Sequence, residues 1–231
     1  MSTPDLQLQT AYILNSQGRI TSTREPEPSP GPVFCLVRSM TSCVWAVRAD
    51  VPEELANELE SLAREESPAL DLRDAPVYAE RYISLVGGQA ESGPAFTFPY
   101  AIAQPANIVS IEDMQMPHHD LQQLLNQNFR GWTASEIPGR LPFLAVVEDG
   151  HIVSVCFCAR RSDIAAEAGL ETAAAFRGRG FGPRVTAAWA LAVRTSGRIP
   201  LYSTSWFNEA SLAVARKLGL VAYASTWSIS G

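Results

Sequence analysis

The residues best suited to chemistry lie between Arg177 and Arg184, where "RGRGFGPR" holds three arginines and three glycines. Glycine tolerates positive φ and lets a backbone approach a ligand without a Cβ clash. Where such a loop opens a helix, the unpaired amides and the dipole of the first turn attract an anion. The segment therefore indicates either a phosphate or pyrophosphate site or a plain strand-to-helix turn with solvated arginines.

Two common nucleotide-binding loops do not fit this segment. The triphosphate loop needs G-x-x-x-x-G-K-[ST], and no Lys-Ser or Lys-Thr follows these glycines. The dinucleotide fingerprint G-x-G-x-x-G needs its third glycine at Pro183 when counted from Gly178, or at Val185 when counted from Gly180. An RNA-binding Arg-Gly segment is usually longer and more repetitive.

The composition is that of an ordinary globular protein. Of 231 residues, 46% are hydrophobic and 18% are charged, and the formal net charge is −6. This acidic balance disfavours nucleic acid or an anionic membrane as a partner, so an anion site must be a local basic patch. The sequence shows neither a membrane-spanning run nor a secretory signal, and we expect a cytoplasmic location.

The cysteines and histidines do not suggest a metal site. Cys156 and Cys158 fall on one face of a predicted strand, where buried reduced thiols are expected rather than a disulfide. The histidines are His118, His119 and His151, and the adjacent pair lacks the supporting residues of a zinc motif. We therefore expect no metal.

The first half of the chain predicts a mixture of strands and helices. The proline-rich stretch 21–32 predicts a loop, and Asp50 with Glu53 predicts a capping box that starts a helix. "GGQAESGPAFTFPY" predicts a loop that leads into a strand near 96–103. The stretch 103–107 is the expected boundary between an α+β region, 1–105, and a second domain, 106–231.

The second half has a more regular pattern. A helix is expected in "HHDLQQLLNQNFRGW", and two apolar runs joined at Asp149-Gly150 predict a hairpin. A strand in "EAGLETAAAF", a helix over about 183–196, a strand in "IPLYSTSW", a helix in "NEASLAVARKLG" and a final strand follow. The order predicts a mixed α/β fold class.

Two motifs in this order resemble the GNAT acyl-CoA N-acyltransferase superfamily. "FRGRGFG" fits its pyrophosphate signature R-x-x-G-x-G, and "LYSTSWFNEASLAVARKLGL" is similar to its next strand and helix. The resemblance covers roughly 107–231, and the region before it resembles an N-terminal extension found on some members. It implies the GNAT fold, a mixed central β-sheet flanked by helices, with an N-terminal α+β region.

The resemblance also implies a site for acetyl-CoA or another acyl-CoA. The thioester would lie between the strands "GLETA" and "LYSTSW", with its pyrophosphate on the loop amides. A backbone amide near Thr172 would stabilise the oxyanion, and Glu171 is the candidate general base, or else a surface carboxylate. The implied coenzyme-binding residues are Thr172, Arg177, Gly178, Arg179, Gly180, Phe181, Gly182, Asn208 and Ser211. Asn208 could serve as a helix N-cap as well.

One position departs from the family pattern. The tyrosine that often protonates the leaving thiolate would stand four residues before the glycine of "KLGL", and this chain has Ala215 there. Tyr202 and Tyr223 lie nearby on predicted strands. The departure weakens the prediction of catalysis and leaves the prediction of coenzyme binding unchanged.

The acceptor is expected to be an amine of a small molecule or peptide. By resemblance, acceptor selection involves the first helices, where Phe129 and Trp132 are candidate substrate-binding residues, with core packing as the alternative for Trp132. The expected activity is N-acetyl transfer by a monomer or homodimer. The alternatives are a non-catalytic acyl-CoA sensor and a structural protein that has lost the ligand.

Overall fold

The computed structural model describes residues 3–114 and 116–230. These residues divide into two compact units. The described residues of Met1–Thr97, Tyr202–Ala213 and Val221–Gly231 form the first unit, and those of Phe98–Leu201 and Val214–Leu220 form the second. The division of the chain into domains at 105/106 stays a prediction.

The helices and strands follow in chain order. They are α1 (Thr3–Ala11), β1 (Tyr12–Leu14), β2 (Ile20–Thr23), β3 (Phe34–Arg38), β4 (Cys43–Val47), α2 (Glu53–Arg64), α3 (Ala79–Val86), β5 (Gln89–Thr97), β6 (Ile108–Ser110), α4 (His118–Asn126), β7 (Leu144–Glu148), β8 (His151–Arg161), β9 (Ala165–Thr172), α5 (Phe181–Thr195), β10 (Ile199–Ser203), α6 (Glu209–Lys217) and β11 (Val221–Ser230). Short 3-10 turns cover Glu112–Met114, Ala134–Arg140 and Ala174–Phe176.

The first unit contains antiparallel strands in the order β4, β3, β11, β5. Every residue of β3 is buried, because Phe34 packs in the cluster with α2 and α3 while Cys35 packs in the cluster with Leu8 of α1. Phe34 also stacks on Tyr82 of α3, with ring centroids 4.6 Å apart. A strand covered on both faces explains the continuous apolar run of this segment.

The predicted capping box before α2 is wrong. Pro52 occupies the N-cap position of α2, and no side chain caps the helix. The Asp50 carboxylate accepts from Arg48 Nε at 2.7 Å, and the Glu53 carboxylate accepts from Arg19 at 3.0 Å. The two carboxylates of the predicted capping box therefore accept hydrogen bonds from arginine side chains and do not cap the helix.

Two expectations about loops are also wrong in part. The proline-rich loop was expected from residue 21, yet β2 continues to Thr23 because it pairs with β1, with Thr23 opposite Tyr12. The expected loop before 96–103 is the strand β5, which ends at Thr97. Its pairing with β11, from Gln89 opposite Ser230 to Thr97 opposite Val221, overrides the local glycine and proline signals.

The second unit contains the first three residues of β10, Ile199–Leu201, followed in strand order by β9, β8, β7 and β6. The β10–β9 pair is parallel and the other pairs are antiparallel, so the sheet is mixed. Asp149 and Gly150 take φ values of 50° and 78° in the β7–β8 turn, as expected for the predicted hairpin. The mixed α/β fold class is confirmed.

The two faces of β8 serve different parts of the second unit. Val155 and Phe157 belong to the core cluster that also contains Leu121 and Leu125 of α4. Cys156 and Cys158 face the other way, beside the helix α5. No helix within residues 3–114 and 116–230 is both long and apolar enough to cross a membrane.

A close backbone approach in the first unit gives a prediction. A Cβ at Gly93 would lie 1.7 Å from the Thr204 carbonyl oxygen. We expect Gly93→Ala to cost about 1–3 kcal/mol of folding free energy, because backbone must move to admit the methyl group. Thermal denaturation by calorimetry measures the change.

The matched control is Gly131→Ala, because nothing lies within 4 Å of that Cβ position and no positive φ disfavours it. We expect this control to change the free energy of unfolding by less than about 0.5 kcal/mol. Equal transition temperatures for the two variants would contradict the expected clash at Gly93.

Candidate functional site

The turn between β9 and α5 is held open by two glycines. Gly178 and Gly180 have φ values of 78° and 84°, and Gly180 is the N-cap residue of α5. Residues other than glycine rarely adopt this left-handed backbone conformation. The local backbone therefore requires glycine at both positions.

The same two glycines border free space. Apart from the two chain neighbours, no heavy atom of the described residues would lie within 4 Å of a Cβ built at Gly178 or Gly180. No side chain within residues 3–114 and 116–230 caps the N-terminus of α5. The backbone of the turn and the first amides of the helix can therefore be approached by an anion.

Arginine side chains are fixed around this turn. The Arg179 guanidinium lies over the rings of Phe176 and Phe181, 5.2 and 5.0 Å from their centroids. Arg177 Nε donates to the Thr172 carbonyl at 3.2 Å. The two guanidinium groups therefore place positive charge near the N-terminus of α5.

Gly182 and Arg184 of the predicted loop lie in the first turn of α5. Arg184 donates to the Ala106 carbonyl at 2.9 Å and lies 5.7 Å from the Phe181 ring centroid. A Cβ at Gly182 would meet Leu170 and Thr172 at 3.5 Å, which is ordinary contact. Gly182 therefore differs from the two glycines before it, which have positive φ and open surroundings.

The end of β9 has one free edge. β9 pairs with β8 as far as Thr172, whereas its described pairs with β10 comprise only Ala165–Glu167 with Ile199–Leu201. Ala173 N–H donates to the Val153 carbonyl of β8 at 3.0 Å. Because successive N–H groups of a strand point to opposite edges, the Thr172 N–H points away from β8.

Ser154 fixes the last residues of β9. Its Oγ lies 2.8 Å from Thr172 Oγ1 and donates to the Glu171 carbonyl at 3.1 Å. Ser154 is fully buried and stands opposite Thr172 in the β8–β9 register. The sequence analysis did not predict this residue, because its position opposite Thr172 depends on the β8–β9 register, which has an irregularity between Cys158 and Arg160.

The Glu171 carboxylate lies on the opposite face of β9 from the Thr172 hydroxyl. It is exposed, and its Oε1 accepts a hydrogen bond from Trp132 Nε1 at 3.0 Å. Trp132 is held in an aromatic cluster with Phe143 and Phe157, at centroid distances of 5.2 and 4.5 Å. The carboxylate therefore has a defined position and remains open to a ligand.

The two candidate substrate-binding residues lie in the core of the second unit. Phe129 is 5% exposed and Trp132 is 8% exposed. The core alternative for Trp132 is confirmed, and substrate contact by either residue stays a prediction. Met114 and Met116 pack against the same cluster.

Asn208 and Ser211 lie at the start of α6, in the first unit. Asn208 Oδ1 accepts from the Ser211 backbone N–H at 3.1 Å. This is the N-cap arrangement that the sequence allowed for Asn208. Coenzyme contact by these two residues stays a prediction.

The nearby tyrosine hydroxyls have partners within the first unit. Tyr202 donates to the Ser211 carbonyl at 3.4 Å, and Tyr223 donates to Gln7 Oε1. Ala215, at the position of the family tyrosine, is buried. The structure therefore presents no tyrosine hydroxyl at that position.

A comparison with protein families identifies the region that contains the turn and the end of β9. Residues 119–226 match the model of the GNAT acetyltransferase family. This segment belongs to the GNAT superfamily. The match contains the two motifs on which the resemblance was based.

Solved GNAT structures are similar to this chain at low identity. A GNAT-family protein from Novosphingobium aromaticivorans is 18% identical, with TM-score 0.48, over 61% of this chain and 64% of that one. An acetyltransferase from the GNAT family of Colwellia psychrerythraea is 14% identical, with TM-score 0.45, over 67% and 63%. A GCN5-related N-acetyltransferase from Sphaerobacter thermophilus is 14% identical, with TM-score 0.48, over 94% and 79%.

The matched region thus spans slightly less than two thirds of the first two structures, at 64% and 63% of their length. No curated protein sequence matches this chain. In the part of the chain that the structure describes, no group of three or more His, Cys, Asp or Glu side chains could hold a metal ion.

Burial protects three of the described cysteine thiols, those of Cys43, Cys156 and Cys158, from ionisation. Burial raises the pKa of the Cys158 thiol from its ordinary 9.0 to about 11. Burial, assisted by the charge of Glu66, raises the pKa of Cys43 to about 12. Since only the thiolate reacts, each added pKa unit lowers reactivity at neutral pH about tenfold.

We therefore expect iodoacetamide at pH 8 to label Cys43 and Cys158 at least about a hundredfold more slowly in the native protein than after denaturation. Mass spectrometry of digested samples measures the rate at each residue. The denatured protein supplies the control rate for the same thiols. Equal native and denatured rates would show that burial does not protect them.

Proposed function

We propose that this chain is an acyl-CoA-dependent N-acyltransferase that transfers acetyl from acetyl-CoA to the amine of a small molecule or peptide. The observation that carries the proposal is the turn at Gly178 and Gly180. Its backbone opens to free space at the N-terminus of α5, directly after the free edge of β9. An anion can bind at the N-terminus of α5, and an extended thioester arm can bind along the free edge of β9.

The residues of the second unit suit the coenzyme. The amides of residues 178–182 would hold the pyrophosphate, with Arg177 and Arg179 adding positive charge. The free edge of β9 offers backbone groups to the pantetheine arm. Asn208 and Ser211 are assigned coenzyme contacts by family resemblance alone. When bound, acetyl-CoA supplies the acyl group as a thioester.

Two residues at the end of β9 would perform the transfer. Glu171 takes a proton from the acceptor ammonium, directly or through one water. The neutral nitrogen then bonds to the thioester carbon, and the Thr172 N–H donates to the oxyanion that develops. The C–S bond breaks as the amide forms, the thiolate leaves with the bonding electrons, and the second proton of the attacking nitrogen passes to water.

Trp132 would act as a positioning residue in this scheme. Its Nε1 donates to Glu171 Oε1, and its ring is held by Phe143 and Phe157. One carboxylate oxygen is therefore engaged while the other remains available for a proton. Ser154 would fix the same strand end from the other face.

A second candidate function is a non-catalytic acyl-CoA sensor. Ala215 is buried where the family tyrosine would stand, and the hydroxyls of Tyr202 and Tyr223 have partners elsewhere. A thiolate with an ordinary pKa of about 8.5 can leave without that acid and take its proton from water. Tight acetyl-CoA binding without thiol release for any amine would favour the sensor. Cytoplasmic location and the state of monomer or homodimer stay predictions.

Gly180→Val tests the coenzyme loop. We expect acetyl-CoA affinity to fall about tenfold or more, which is at least about 1.4 kcal/mol, because the side chain would fill the space in front of the amides. Isothermal titration calorimetry measures the affinity.

The control for this variant is Gly197→Val, at the other end of α5. Gly197 has φ 79° and nothing within 4 Å of its Cβ position, so its substitution brings similar backbone strain. We expect the control to lose stability while acetyl-CoA affinity is retained. Equal affinity in both variants would remove the loop from the site.

Glu171→Gln tests the general base. We expect kcat/KM at pH 7 to fall roughly a hundredfold, since the variant must wait for the small fraction of neutral amine. The deficit should shrink as pH rises towards the pKa of the amine, about 10, where free base is abundant. A pH series of initial rates measures this trend.

Glu112→Gln makes the same change on an exposed carboxylate in a 3-10 turn and should leave the pH profile unchanged. A rate deficit of Glu171→Gln that stays constant with pH would argue against proton removal by Glu171.

A further inference from the structure

A cation and a carboxylate contact the same indole ring in the second unit. Arg140 lies at the end of the 3-10 turn Ala134–Arg140, and its guanidinium carbon is 5.1 Å from the Trp132 ring centroid. Glu171 accepts a hydrogen bond from Nε1 of that Trp132. The same indole ring therefore contacts both a guanidinium and a carboxylate.

The Arg140 guanidinium is held by aromatic rings rather than by an acid. It also lies 5.5 Å from the Phe157 ring centroid. Its Nε atom is buried without a hydrogen-bond partner, and no ion pair of Arg140 occurs within residues 3–114 and 116–230. A guanidinium offers five N–H donors in a fixed fork, and leaving buried donors unpaired costs free energy.

Glu171 does not satisfy these donors. Its carboxylate forms no ion pair with Arg140 in the described part of the chain, and it accepts from Trp132 instead. Among the described residues, the site therefore contains a carboxylate that can bind a positive group and a guanidinium that has no anionic partner. A ligand that carries both a positive and a negative group would pair with both of these side chains.

We propose that the acceptor carries a carboxylate beside its amine, as an amino acid does, and that Arg140 binds this carboxylate. The proposal rests on the proposed N-acyltransferase function and names the substrate class of the same site. The ammonium lies towards Glu171, and the carboxylate pairs with the guanidinium fork through charge-assisted hydrogen bonds. The product is an N-acetyl amino acid, because acetyl replaces one amine hydrogen and the carboxylate does not react.

Discrimination should be strong because the cation is already in place. An amine without the carboxylate leaves the guanidinium donors unpaired on binding, and sites built to pair a polar group reject analogues that lack it. Arg140 touches the substrate in this scheme, although it takes no part in proton transfer. Its removal should therefore raise KM for amino acids and leave kcat nearly unchanged.

The experiment compares amino acids with their decarboxylated amines. Acetyl-CoA is supplied with phenylalanine or 2-phenylethylamine, leucine or 3-methylbutylamine, and lysine or 1,5-diaminopentane, and product is measured by mass spectrometry. We expect kcat/KM for the best-used amino acid to exceed that of its decarboxylated partner about a hundredfold or more.

Variants then assign the preference to Arg140. Arg140→Met keeps an apolar cover on the Trp132 ring, and we expect it to remove most of the preference by raising KM for the amino acid. Arg140→Lys keeps the charge and should retain part of the preference. Arg64→Met removes an exposed arginine that pairs with Glu60 on α2. We expect this control to leave kcat/KM unchanged for both the amino acid and its decarboxylated amine.

Three outcomes would contradict different parts of the proposal. Equal use of an amino acid and its decarboxylated amine by the native protein overturns the assignment of Arg140 while the N-acyltransferase function stands. An equal loss for both members of a pair in Arg140→Met and Arg140→Lys reduces Arg140 to a structural residue. Acetyl-CoA binding without turnover of any acceptor overturns the proposed transferase function, and the acceptor class falls with it.

Discussion

The register between β8 and β9 sets Ser154 opposite Thr172 and Val155 opposite Glu171, and most of the candidate site follows from this pairing. Because side chains alternate along a strand, the Thr172 hydroxyl turns towards Ser154 and the Glu171 carboxylate turns towards Trp132. A slip of one residue would exchange the two faces. The hydrogen bonds of the buried Ser154 side chain oppose such a slip.

The aromatic cluster beside β9 depends on a missing side chain. A Cβ at Gly169 would lie 2.3 Å from the Phe157 ring, so only glycine lets that ring lie flat across the strand. Phe157 stacks with Phe143 and meets the edge of Trp132. The direction in which Trp132 Nε1 points therefore depends on a glycine two residues before Glu171.

Features encoded by neighbouring residues could be predicted, and features made by distant residues could not. The Asp149-Gly150 hairpin and the glycines before α5 follow from local φ requirements. The strand β5 and the bond from Trp132 to Glu171 depend on segments far apart in the chain. Periodicity fixes which residues share a face of a strand, but it cannot say which helix covers that face.

The position of β11 has a consequence for synthesis of the protein. β11 comprises Val221–Ser230 and lies between β3 and β5, hydrogen-bonded to both. While the chain is still emerging from the ribosome, β3 and β5 each lack this neighbour and present unpaired backbone edges. The first unit therefore completes its hydrogen bonding only after β11 has been translated, and a chain interrupted before β11 would be prone to pair with other strands.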